Sequence, residues 1–322
     1  MNKPYRITID TNPDKCNLNC IMCDTHSIYN KNSKLNRKDM SKKLLEKVIN
    51  EALEIGVKEI IPTTMGEPLL YKQIDLFIDK LSNSNTKLNL TTNGTFPTRD
   101  IYKWAKELLP ILSDIKISIN GINPSINENI MKNDDTIQKL KKIKEFIKLR
   151  DRYYPNVSVT LQVTFLKSNL DEIEEIIKFA IENNVNRVKG HQLWVTYDEI
   201  KEESLQNDKN SINKWNNFVD KIKKYRTKIK LQNFDKLKLN KDNTIPYEYN
   251  CPFLGQELWI DHNGDFNICC APSNKRISLG EWGNIQERTI LDIFNSDEYL
   301  KLVKNYKEKE ICKKCLLRIP LC

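Results

Sequence analysis

The chain has no apolar run near the ~20 residues needed to cross a bilayer, and its first residues, "MNKPYRITID", contain no signal-peptide core. Those two absences predict a protein that stays in the cytoplasm. Glycine and proline are scarce, nine and twelve in 322 residues, which excludes a fibrous repeat and argues against disorder. Aromatic residues do not interleave with basic ones, as a groove for single-stranded nucleic acid would require. The net charge of +9, from 52 Lys and Arg against 43 Asp and Glu, is therefore assigned to lysines solvating helix faces in stretches such as "KKLLEKVINEAL" and "KLKKIKEFIKLRD". No membrane is expected as a partner, and nucleic acid is not favoured.

What is there is a globular composition, 39% hydrophobic and 30% charged, long enough to bury one large core. Nine cysteines gather at the two ends of the chain. A reducing compartment keeps thiols free, so metal ligation explains them better than structural disulfides.

Between the cysteine sets, short β-rich runs alternate with stretches of helical period. The runs are "YRITID" (5–10), "KEIIPTT" (58–64), "KLNLTT" (87–92), "DIKISIN" (114–120), "VSVTLQVTFL" (157–166) and "VNRVKGHQLWV" (185–195). Ser41 is placed to cap a first helix whose Leu44, Leu45, Val48, Ile49, Ala52 and Leu53 share a face, with Gly56 at its end. Further helices are predicted over 69–81, 98–109 and 136–150, and in "NLDEIEEIIKFAIENN". Six β-then-α units imply parallel strands with helical crossovers, hence an α/β fold, a partial (β/α)6 TIM-like barrel. Period alone does not separate a barrel from an open wound sheet.

The alternation stops near residue 235, giving an expected boundary between a catalytic part (1–235) and a small satellite (236–322). "DKLKLNKDNTIPYEYN" reads as a linker. "ELWIDHNGDFNICC" reads as a hairpin turning at Asn263-Gly264, followed by one helix over 289–307 and a terminal "CKKCLLRIPLC". The last stretch holds six of the nine cysteines and too little apolar sequence for its own core, so a metal staple is expected.

"DKCNLNCIMCDTH" sets Cys16, Cys20 and Cys23 on a loop leaving the C-terminal end of the first strand, where α/β folds place their sites. Zinc would want a fourth ligand, for which His26 is available. Three thiolates alone suit a cubane [4Fe-4S] cluster with one iron left open. The spacing "CNLNCIMC" resembles the CxxxCxxC signature of the radical S-adenosylmethionine (SAM) enzymes, and "MGEPLL", "TTNGT" and "ISINGI" resemble that family's later strand-end segments. The resemblance implies that SAM chelates the open iron. One electron then cleaves it to methionine and a 5′-deoxyadenosyl radical, which abstracts a hydrogen atom.

Carried over position by position, the resemblance gives Cys16, Cys20 and Cys23 to the cluster, Gly66 and Glu67 to the SAM amine, and Ser118 to the ribose. Asn93, Asn120 and Gln162 join the SAM contacts by their places at strand ends. Met22 stands where the family usually has an aromatic residue near the adenine, and a thioether can pack on a purine. An ordinary turn would equally explain Asn93-Gly94, and a solvated strand end Ser118.

Cys251, Cys269 (in a GxxxxC arrangement after Gly264), Cys312 and Cys315 resemble the auxiliary-cluster modules called SPASM and, shortened, Twitch. They would close a second [4Fe-4S] cluster, with a zinc ribbon as the other reading of such spacing. A full module binds two auxiliary clusters on more cysteines than the six here, so the single-cluster form fits. Cys270 and Cys322 remain. Cys270 is either a small buried strand residue or, facing the substrate, a hydrogen-atom donor.

Lys189, His191, Gln192 and Trp194 lie on the sixth strand, with the inward phase open. His191 and Asp10, at the end of the first strand, are further candidate catalytic residues. The expected activity is oxidation of an unactivated C–H bond in a sugar, an aminocyclitol or a peptide side chain, with epimerisation quenched by Cys270 as the enzymatic alternative. A one-electron donor such as flavodoxin or ferredoxin is implied. Because the chain starts almost at its first strand, a small polar substrate is mildly favoured over a peptide. The reading from another class is a non-catalytic, zinc-stapled or iron–sulfur-stapled scaffold that binds nucleic acid through its positive charge.

Overall fold

Alternation along the strands decides which way the sheet faces. The structure, a computed structural model, describes residues 2–31, 37–62, 65–238, 244–271, 273–315 and 317–320. Ile7 and Ile9 of β1 (Arg6–Ile9), Ile60 of β2 (Glu59–Pro62), Leu88 and Leu90 of β3 (Lys87–Thr92) and Ile115 and Ile117 of β4 (Leu112–Ser118) are buried in one apolar core. Val159, Leu161 and Val163 of β5 (Ser158–Phe165) and Val188 of β6 (Arg187–Gln192) continue it. The residues between them are polar: Arg6, Thr8, Glu59, Asn89, Thr91, Asp114, Lys116, Gln162, Lys189 and His191 line cavities on the other face. A strand that is apolar on one side and charged on the other buries the first against helices and leaves the second around a lumen.

The helices are α1 (Lys42–Glu54), α2 (Ile74–Leu81), α3 (Ile101–Leu108), α4 (Pro124–Ile130), α5 (Thr136–Tyr153), α6 (Glu172–Glu182) and α7 (Lys209–Ile222). Ser41 caps α1, accepting from the Leu44 N–H at 3.2 Å, and Gly56 follows its end at φ +70°. Leu45, Val48, Ile49 and Ala52 are the buried face. Sequence reading left out α4 and α7. It also ran 69–81 together, whereas Pro68–Leu70 forms a separate turn before α2.

The sheet has nine strands in the order β7-β6-β5-β4-β3-β2-β1-β8-β9. Besides the six expected, β7 (Lys230–Gln232) pairs parallel with β6, too short to betray itself by alternation. On the other side β8 (Glu257–Ile260) runs parallel to β1, with Arg6 opposite Glu257 and Ile9 opposite Ile260. Only β9 (Phe266–Asn267) is antiparallel. β7 and β9 are the edges, so the barrel is partial and open.

The expected boundary at 235 does not separate two cores. Leu258, Ile260, Phe266, Ile293, Phe294, Tyr299 and Tyr306 belong to the same apolar cluster as Ile7 and Ile60. The apolar shortage of the tail is met by docking onto β1. Of the hairpin turn, Gly264 alone takes positive φ, at +95°, while Asn263 does not. α8 (Ser273–Arg276) follows, and the single helix expected over 289–307 is two, α9 (Ile290–Phe294) and α10 (Asp297–Asn305). Ser296 breaks them by capping α10, accepting from the Tyr299 N–H. α11 (Glu310–Lys313) precedes the last turn. Part of the predicted linker, residues 239–243, and Cys322 lie outside the described residues.

β6 is pressed closely onto the helix layer. A Cβ added at Gly190 would come within 1.6 Å of the Phe165 ring, which itself lies 4.3 Å from Trp215 and 4.9 Å from Phe234 between centroids. Gly190→Ala is therefore expected to cost at least about 1–3 kcal/mol by overpacking. Chemical denaturation measures this, and an unchanged midpoint would refute the tight contact.

Candidate active site

The cysteine loop follows β1 and is held from two sides. The Asn19 and Ile21 N–H groups donate to the Lys132 and Ile130 carbonyls at the end of α4, at 3.0 and 2.9 Å. Leu18 and Ile21 sit in a small core with Ile130, Met131, Leu166, Leu193 and Ile200. From the other side the Glu67 N–H donates to the Lys15 carbonyl at 2.7 Å, and the Asn12 amide donates to the Glu67 carbonyl at 2.8 Å. A Cβ at Gly66 would lie 2.1 Å from the Asn12 oxygen and 2.7 Å from that of Lys15. Only glycine lets the two loops meet.

Glu67 is buried, and its carboxylate accepts from Thr92 Oγ1 at 2.8 Å, the Asn93 N–H at 2.7 Å and the Leu69 N–H at 3.1 Å. Burial pushes its pKa up to about 7 against those three donors. The Asn93 amide in turn donates to Cys16 Sγ at 3.7 Å and to Asn17 at 2.9 Å. Glu67 thus ties the β2 loop to the end of β3.

Burial raises the pKa of all three N-terminal thiols, Cys23 to about 12. Loading a metal centre must therefore displace protons. Two backbone donors already face the sulfurs: Leu18 N–H to Cys16 at 3.5 Å and His26 N–H to Cys23 at 3.2 Å. The His26 ring is oriented by Nε2, which lies 2.9 Å from the Pro13 carbonyl oxygen. Beneath the loop the fully buried Lys139–Asp134 ion pair carries the nearest cation, whose charge opposes the rise at Cys20 and Glu67.

The second set is assembled by the tail. Arg318, buried, donates to the carbonyls of Tyr249 and Cys312, tying the residues before Cys251 to the CxxC turn. Tyr306 and Tyr299 hydroxyls accept from the N–H groups of Cys251 and Gly255 at 2.9 and 3.0 Å. Leu254 and Ala271 N–H groups donate to Cys251 and Cys269 sulfurs, each at 3.4 Å. Burial lifts Cys251, and lifts Cys312 and Cys315 to about 12. The hydrogen bond between Cys269 and Cys270 pulls Cys269 down to about 7 and raises Cys270.

Among the described residues, no three His, Cys, Asp or Glu side chains converge within reach of one metal ion. Free, partly buried thiols with N–H groups aimed at their sulfurs fit iron–sulfur clusters at both places.

The lumen comprises two cavities that share Arg6, Lys116, Lys189, His191, Phe253, Glu257 and Leu317. The upper, of about 400 Å³, runs from Met22 and Cys23 to Trp259 and Cys270, with Gln162, His191 and Trp194 on its wall. The lower, of about 450 Å³, is lined by the charged ends of the strands. Lys189 and His191 are thus the inward phase of β6. Burial and the ammonium groups of Lys189 and Lys116 push His191 down to about 3, so its ring is neutral.

Of the candidates, the upper cavity brings together Met22, Cys23, Gln162, His191 and Cys270. Gly66, Glu67 and Asn93 gather beside Cys16 instead. Ser118 stands opposite Gln162 in register. Asn120 is buried in a scaffold, its Oδ1 accepting from Thr164 N–H and its N–H donating to Asn127. Asp10 lines neither cavity. It is buried at the β1–β8 seam, its N–H donating to the Ile260 carbonyl at 2.8 Å. Sequence reading missed Lys116, Glu257 and Trp259, although charged or polar residues at alternate strand positions were the signal for the first two.

Residues 13–180 match the radical SAM superfamily, and residues 251–316 match SPASM, an iron-sulfur cluster-binding domain. The chain belongs to the radical SAM superfamily. An uncharacterized protein of Methanocaldococcus jannaschii is 28% identical over 287 residues, 85% of this chain and 87% of that one. A probable GTP 3′,8-cyclase of Pyrococcus abyssi is 30% identical over 168 residues, 52% of this chain, which thus spans 50% of that enzyme's length. SuiB of Streptococcus suis bound to S-adenosylmethionine has the same fold, with a TM-score of 0.68 at 18% identity over 98% of this chain and 72% of that one. The first part accordingly takes a [4Fe-4S] cluster with SAM, and the second a further iron–sulfur centre. Among the described residues no helix is long and apolar enough to cross a membrane.

Gly66→Ala should push the β2 loop off the cysteine loop, because backbone atoms cannot yield as a flexible side chain can. Iron retained after anaerobic reconstitution should fall by roughly half as the N-terminal centre is lost; full iron content would refute the contact. Between pH 4.5 and about 7 the folded protein keeps a proton on Glu67 that the unfolded chain has released, so stability falls as pH rises through that window. Urea unfolding of reduced, metal-free protein should show wild type losing up to about 3 kcal/mol relative to Glu67→Gln over that range. A pH-independent difference would refute it.

Proposed function

We propose that the protein is a radical SAM oxidoreductase that removes two electrons from an unactivated C–H bond of a sugar-type or aminocyclitol-type small molecule or of a peptide side chain. The carrying observation is one cavity lined both by Met22 and Cys23 of the N-terminal cysteine loop and by Cys270, next in sequence to the auxiliary Cys269. Bound in the N-terminal site, cluster and SAM supply a 5′-deoxyadenosyl radical to whatever the cavity holds. The substrate loses a hydrogen atom there, then an electron and a proton. Cys251, Cys269, Cys312 and Cys315 stand where the acceptor of that second electron is wanted, and flavodoxin or ferredoxin would supply the first electron.

In this reading Met22 packs on the adenine, Ser118 and Gln162 meet the ribose, and Gly66 offers backbone to the methionine amine. Asn93 braces Cys16. Glu67, its carboxylate accepting from three donors, contributes through the loop it fixes. Asn120 supports the end of β4 from its scaffold. Residues 1–235 carry the SAM chemistry and 236–322 the second centre, in the reducing cytoplasm.

One observation favours a second reading, epimerisation. Cys270 borders the cavity with its pKa raised, so it keeps the S–H form that a hydrogen-atom donor needs. The thiol would then be restored by an electron from the external donor and a proton.

Anaerobically reconstituted protein should bind about eight irons per chain and release 5′-deoxyadenosine from SAM on reduction with dithionite. Iron-loaded protein that leaves SAM intact would sink both readings. Deuterated sugars, aminocyclitols and peptides then identify the substrate by label transfer into 5′-deoxyadenosine. In D₂O, oxidation leaves the product carbon without solvent deuterium, whereas epimerisation installs one and is lost in Cys270→Ala.

A further inference from the structure

The lower half of the lumen carries an imbalance of charge. Four cations line it, Arg6, Lys116, Arg187 and Lys189, against three carboxylates, Glu59, Asp114 and Glu257. Arg6 lies between Glu59 at 2.7 Å and Glu257 at 3.3 Å, and Arg187 binds Asp114 at 2.6 Å. Lys116 donates to Asn89 and lies 3.9 Å from Asp114. Lys189 alone of the four has neither a hydrogen bond nor an ion pair among the described residues. Arg187 and Arg6 repel it, and Asp114 attracts it without forming an ion pair.

Unsatisfied polar atoms gather at the same place. His191 Nδ1, Gln192 Oε1, Gln232 Oε1 and Trp259 Nε1 are buried without a partner, and all four residues line the lumen. A partly buried cation with no ion pair and orphaned polar atoms each destabilise the fold, so their concentration along one lumen marks a place completed by a ligand.

We propose that Lys189, with Lys116 and His191 beside it, binds a single carboxylate of the substrate inside the lumen. This assignment rests on the reading of the lumen as the substrate chamber. The lower half's surplus of one positive charge matches a monoanion, and a phosphate dianion would leave that half negative. Neutral His191 adds hydrogen bonding without adding charge. Lys189 and His191 line both cavities, so a substrate held there by its carboxylate shares the upper one with Met22, Cys23 and Cys270. The substrate is thus an acid, either a sugar acid or a peptide bearing Asp or Glu near the reacting carbon.

Full-length protein with its clusters loaded and SAM saturating is titrated with N-acetylglutamate amide and with gluconate. Each is compared with its uncharged partner, N-acetylglutamine amide or gluconamide, and with inorganic phosphate. One carboxylate should bind at least about tenfold tighter than its amide. Lys189→Met should abolish that preference and Lys189→Arg should keep part of it. The acid that binds tells the peptide source from the sugar source. Equal affinity for acid and amide, a preference that survives Lys189→Met, or preferred binding of phosphate overturns the proposal. If Lys189→Met does not fold, acetic anhydride labelling of wild-type Lys189, read by mass spectrometry, decides: the carboxylate should protect it, and undiminished labelling refutes the site. Reductive SAM cleavage is measured on the same wild-type preparation, so failure of the radical reading and failure of the carboxylate subsite are scored separately.

Discussion

The hydrogen bonds that Glu67 accepts from Thr92, Asn93 and Leu69 hold the upper end of the molecule together. Its side chain anchors the β2 loop to β3, while its backbone and that of Gly66 press on Asn12 and Lys15, fixing the height of the cysteine loop. The loop's far side is pinned by α4. A loop with three thiols spread over eight residues has little regular structure of its own, so its shape is set by these external contacts. The buried carboxylate braces two loops at the place where the family resemblance put a ligand contact.

The fold was legible wherever alternation was long. Strands of six to eight residues such as β3, β4 and β5 declared themselves. β7, of three residues, did not. α1 was legible in its cap, its face and its terminating glycine together. The break between α9 and α10 was missed because apolar spacing continues across Ser296 and only the cap reveals the interruption. Both cysteine sets stand out by spacing, and the clusters they would hold are read from the family resemblance and the matching family models. The inward phase of β6 was not legible, since "RVKGHQ" places a polar residue on both faces, and Gly190 against Phe165 resolves it only in three dimensions. Glu67 and Asn120 mark what a motif and a strand end leave unread: each lies in the expected segment, and its buried bonds reach neighbouring segments that only the fold brings near.

The lumen explains why so charged a strand set folds. Arg6, Glu59 and Glu257 come from three adjacent strands in register, and Asp114 and Arg187 from strands either side of β5, so most charges are neutralised across the sheet. Such pairs limit the cost of burial without adding much stability. What remains unneutralised is local, and it sits on β6.

The pairing of β8 with β1 joins the strands that precede the two cysteine sets, Cys16 to Cys23 and Cys269 with Cys270. The two strands that lead to them are therefore neighbours at the ~4.8 Å spacing of a sheet, however far apart they lie in sequence. The same seam guards against self-association: stripped of β8, the β1 edge would present unpaired N–H and C=O groups beside a row of isoleucines, a template for another chain's strand. The tail that brings the second set of thiols is also the cover that keeps the first strand from recruiting a stranger.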